Sequence, residues 1–97
     1  MAEFNKVKDK YLKILEQYVP IVARVHGGTH PEFLEVRKLF DSMNEKIIEA
    51  GSEKPKIDDE FKKLRKVTNN YTVPCDTCES YEAVYKMLAE LDEAYRA

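Results

Sequence analysis

Ninety-seven residues are the length of one domain around one core, too short for two. With 43% hydrophobic and 35% charged residues and only three glycines, the composition is that of an ordinary globular protein and excludes a disordered or fibrous chain. Sixteen Lys and Arg nearly offset eighteen Asp and Glu and are interspersed with them, so the net charge of −2 builds no field for nucleic acid.

No apolar run approaches the roughly 20 residues that span a bilayer, and the start Met1-Ala2-Glu3-Phe4 has no basic-then-apolar signal pattern. The expectation is a soluble, cytoplasmic protein with neither a membrane nor a nucleic acid as partner. Residues 1–97 read as a single domain, with no repeat, low-complexity tract or linker.

The first segment sets Phe4, Val7, Tyr11, Ile14, Leu15, Tyr18, Val22 and Val25 at spacings of three and four, the apolar face of a helix. Pro20 falls inside this pattern, so a kink or a break is expected there. Gly27 and Gly28 end the segment, Thr29 or His30 is the candidate cap of the next helix, and Pro31 suits its first position. The second helix turns Phe33 or Leu34, then Val36, Leu39, Phe40, Met43, Ile47 and Ile48 inward, and closes at Gly51.

After the turn from Gly51 to Pro55, a third helix begins at about Asp58, carries Phe61, Leu64, Val67 and Tyr71, and stops near Asn69-Asn70. Pro74 makes the next stretch extended, and Asp76 with Glu79 reads as a capping box for a last helix. That helix carries Tyr81, Val84, Tyr85, Leu88, Leu91 and Tyr95. Four amphipathic helices on short links predict an all-α, up-down-up-down four-helix bundle, with Leu39, Phe40, Leu64, Val84 and Leu88 in one shared core.

Chemistry concentrates in four residues. His26 and His30 flank the glycines, and Cys75 and Cys78 form one C-x-x-C. Together they have the donor types of a four-ligand zinc or iron site, although spacing alone cannot show that they converge. A second reading is a thiol redox pair, which requires Cys78 near the N-terminus of the last helix. The third is purely structural: Cys78 buried as a small hydrophobe, Cys75 exposed on the loop, one histidine capping or packing and the other solvated. The carboxylates fall mostly on polar faces, no helix carries Glu-x-x-His, and no catalytic residue is assigned.

Two stretches are distinctive: Val22 to Leu34, with Val25-His26-Gly27-Gly28-Thr29-His30-Pro31, and Thr68 to Cys78, with Asn69-Asn70-Tyr71-Thr72 and then Tyr81, Ala83 and Tyr85. In these the chain resembles the hemerythrin-like domain of the di-iron proteins of iron-sulfur cluster repair, a family associated with cell morphogenesis and nitric oxide signalling. The resemblance implies a four-helix bundle whose relatives hold two irons with histidines and carboxylates.

His26 resembles the family's ligand from the end of the first helix. The earlier first-helix histidine would fall near Asn5, the second-helix His and Glu around Ala50 to Lys54, and the third-helix histidine near Lys54 or Pro55, where none is present. The closing His and Glu would fall beyond Ala97. Cys78 matches the family's usual cysteine, whereas Cys75 is an addition.

The resemblance therefore implies a degenerate, metal-free, non-enzymatic module acting by protein interaction. Iron or zinc bound by His26, His30, Cys75 and Cys78, even across a dimer, is the alternative, and thiol redox chemistry is another. The shortened helices should expose Ile47, Ile48, Ile57, Leu91 and Tyr95 at their ends, to be covered by a protein partner or a second copy.

Overall fold

The computed structural model describes residues 2–75 and 77–97, and it is an all-α bundle of four helices: α1 (Ala2–His26), α2 (Glu32–Ala50), α3 (Asp58–Val67) and α4 (Glu79–Arg96). α1 packs against α4 and α2, and α2 packs in turn against α3. α1 and α4 run antiparallel, with the Phe4 ring on Tyr95 at one end and the His26 ring on Tyr81 at the other. Among the described residues no helix is long and apolar enough to cross a membrane.

Pro20 does not break α1, which continues through it to His26. The proline has no N–H for the Glu16 carbonyl, and burial of Leu15, Val19, Val22 and Ala23 on both sides of it holds the helix together. Gly27 extends the last turn of α1, its N–H donating to the Ala23 carbonyl at 2.9 Å. A Cβ at Gly27 would lie 2.4 Å from that carbonyl oxygen and 2.8 Å from Leu34 Cδ2, so the close approach of α2 needs glycine there. Neither Thr29 nor His30 caps α2: Pro31 occupies the cap position with no side-chain hydrogen bond. The expected Asp76 capping box lies outside the described residues; the cap position of α4 is held by Cys78.

Leu39, Phe40, Leu64, Val84 and Leu88 share one core, as the periodicity predicts, and Phe33 rather than Leu34 is the inward residue at the start of α2. Three expected core residues of α1 are not in it. Ile14, Tyr18 and Val25 face outward while Val19 and Ala23 are buried, because α1 carries more than one apolar line and the seats of α2 and α4 choose between them.

The expected exposure of the helix ends is also overturned. Ile47, Ile57, Leu91 and Tyr95 are buried, and of the five named residues only Ile48 is exposed. The link before α3 folds over that end, with the Tyr95 hydroxyl 2.8 Å from the Pro55 carbonyl and 3.0 Å from Asp58 Oδ2 while accepting the Ile57 N–H at 3.2 Å.

Candidate thiol-imidazole site

The turn that closes α1 and the loop that opens α4 meet at one end of the bundle. His26, the last residue of α1, places Nε2 3.1 Å from Sγ of Cys78, 52 positions away in sequence. The imidazole stands at the C-terminal end of α1 and the sulfur at the N-terminal cap of α4.

Beneath the pair lies a buried aromatic platform. The Tyr81 ring meets His26 edge-on at 5.4 Å and His30 edge-on at 5.6 Å, and it touches Phe33 and Tyr85. The Tyr81 and Tyr85 hydroxyls are 3.1 Å apart. Burial pushes the Tyr81 hydroxyl well above the ordinary phenol range, helped by the bond to Tyr85 and the nearby Glu32 carboxylate; burial raises Tyr85 as well. Both phenols therefore stay neutral, and the Tyr81 ring supports the His26 ring.

His30 has Nδ1 3.0 Å from Oε1 of Glu32. Cys75 is exposed on the loop before α4, and Cys78 is exposed as well, contrary to the expectation that it packs as a small hydrophobe. An N-cap residue stands outside the first turn, and the apolar face of α4 begins only at Tyr81. Of the four residues singled out in the sequence, the fold thus joins His26 with Cys78. Among the described residues no three His, Cys, Asp or Glu side chains come together as a metal site.

A second polar cluster escaped the sequence reading. Asp92 is fully buried on α4 and takes Nη1 of Arg65 on both carboxylate oxygens, at 2.7 and 2.9 Å. Tyr71 donates its hydroxyl to Oδ2 at 2.7 Å, and Arg96 donates Nε to Oδ1 at 3.1 Å. These bonds offset an unusual backbone: Asn69, Asn70 and Tyr71 all have φ between 52° and 61°, which asparagine tolerates and a bulky tyrosine resists. The signal available was Asp92 four residues after Leu88, on the apolar face of the last helix.

Glu60 is the other missed acid, buried between α2 and α3 with hydrogen bonds from Lys46 and Ser42. Burial alone would raise its carboxyl, but the bonds from Lys46, a backbone N–H and Ser42 together outweigh that and hold it below the usual range.

No protein-family model matches the chain, and no solved structure matches it significantly.

Proposed function

We propose that this chain is a metal-free helical module of hemerythrin-like descent that works through the Cys78 thiol, in the reducing setting of the cytoplasm. The observation that carries the reading is the 3.1 Å contact between His26 Nε2 and Cys78 Sγ at the facing ends of α1 and α4. The histidine in the family's ligand position has become the partner of a thiol.

His26 takes the thiol proton, and the Cys78 thiolate attacks one sulfur of a disulfide substrate. The Cys78 mixed disulfide forms as the substrate's S–S bond breaks, and the leaving thiolate takes the proton from the imidazolium. Cys75 then attacks the Cys78 sulfur, its proton passes to the second substrate sulfur as that thiol leaves, and the Cys75 to Cys78 disulfide closes. One dithiol and one disulfide yield one disulfide and two thiols, so electrons and protons balance.

The test is the rate at which each cysteine attacks a small aromatic disulfide, measured in the Cys75→Ser and Cys78→Ser chains. Cys78 should outpace Cys75 at neutral pH, and His26→Gln should slow Cys78 by at least about tenfold while leaving Cys75 unchanged. Equal rates for the two thiols, indifferent to His26, would end the reading.

A second reading, a protein-interaction module, rests on a different observation: an exposed apolar line on α1 formed by Ile14, Tyr18, Ile21 and Val25. It requires no chemistry at Cys78, and the two readings are compatible.

A further inference from the structure

α1 has two apolar lines. One faces the core through Phe4, Leu15, Val19 and Val22. The other is Val7, Tyr11, Ile14, Tyr18, Ile21 and Val25, separated alternately by four and three residues, which is the repeat of a helix seam that packs on another helix. The two lines lie about 100° apart around the helix. Among the described residues the second line stays accessible from Ile14 onward, where its members are between 37% and 64% exposed.

The two borders of this line differ in charge. On the solvent side run Lys6, Lys10, Lys13 and Arg24. On the other side is α4, where a shallow groove is lined by Glu3, Val7, Glu90, Glu93, Ala94 and Ala97. One carboxylate oxygen of Glu90 is buried there with no hydrogen-bond partner.

We infer that this face pairs with the same face of a second copy, through a two-fold axis parallel to α1, so that the two α1 helices lie side by side in the same direction. This deepens the interaction reading above by naming its occupant. A two-fold axis across the helices would set each basic border on the other copy's basic border. The axis along the helices sets each basic border on the other copy's α4 instead. The levels also agree. Because α1 and α4 run antiparallel with Phe4 beside Tyr95, Lys6 and Lys10 stand level with Glu93 and Glu90. The second copy's Lys6 and Lys10 thereby face the Glu93 and Glu90 side of α4.

Sedimentation of the intact chain over a concentration range, with apolar dye binding and cysteine crosslinking, tests the pairing. A dimer is expected that Ile21→Asp, at an exposed position and with helicity checked, weakens by at least about tenfold. Lys10→Glu should weaken it, and adding Glu90→Lys should restore it. In the Cys75→Ser/Cys78→Ser background, Ile14→Cys and Ile21→Cys should each crosslink to their own copy, which only side-by-side parallel helices permit.

A dimer indifferent to Ile21→Asp, or crosslinks between Ile14→Cys and Ile21→Cys chains but not within either, would overturn the arrangement. A strict monomer that binds an apolar dye, with binding abolished by Ile21→Asp, would overturn self-pairing while sparing the interaction reading. A strict monomer with no dye binding would end both.

Discussion

α4 carries two polar clusters, about 21 Å apart along its axis by residue count, and they are built in opposite ways. Near its C-terminal end, Asp92 is fully buried and both its oxygens are bonded, to two arginines and a tyrosine from three parts of the chain. At its N-terminal end, Cys78 is exposed and, among the described residues, meets a histidine at 3.1 Å. A buried, satisfied carboxylate locks a conformation, because every alternative strands a charge. An exposed thiol held against one imidazole locks little, yet it is open to a substrate. The first cluster is therefore structural, and under the thiol reading proposed above the second is reactive, so substitutions should separate stability from reactivity.

The largest loss of stability is expected from Asp92→Ala, which leaves Arg65 without its partner and removes the bond that holds Tyr71 in a left-handed conformation. Breaking a buried pair costs about 3 to 5 kcal/mol, and because Arg65 and Arg96 can reach water the low end applies. Denaturant midpoints read this, with reactivity of the Cys78 thiol in the remaining folded fraction unchanged.

Gly27→Ala couples the two regions. Its Cβ would press on the Ala23 carbonyl and on Leu34, so the turn must shift, at a cost of about 1 to 3 kcal/mol. Because Gly27 follows His26 directly, the same change should also slow Cys78, which thermal melts and disulfide-exchange rates on one sample would show together. A destabilised variant with full Cys78 reactivity would show that the imidazole contact does not depend on this turn.

The pH profile sharpens the contrast further. Glu60 is held below its ordinary value in the fold, so its contribution is present above the unfolded pKa of 4.5 and is lost as pH falls through the lower, folded value. Glu60→Gln should therefore flatten the acid side of a stability-versus-pH curve. On the alkaline side, Tyr71, Tyr81, Tyr85 and Tyr95 are all raised above 10.0, so their stabilising protonation is complete below pH 10 and is lost as pH rises beyond it. Spectroscopic titration should find these four of the six tyrosines ionising above the ordinary phenol range.

The smallest effect on stability is expected from His26→Ala, within about 0.5 kcal/mol, since the ring is only half-buried at a helix end. Its effect on Cys78 reactivity should be the largest of the set.

Sequence periodicity by itself determined the four helices, the shared core of Leu39, Phe40, Leu64, Val84 and Leu88, and the breaks at Gly51 and Asn69-Asn70, because amphipathic spacing and left-handed turns are local properties of the chain. It also picked out His26 and Cys78 as residues able to carry chemistry. Tertiary structure alone decided which of the two apolar lines of α1 is buried, that the link before α3 closes over Tyr95 instead of leaving the helix ends bare, and that His26 meets Cys78 while His30 turns to Glu32. Each of those outcomes depends on where a neighbouring helix sits, and a partner 52 residues distant leaves no trace in local spacing.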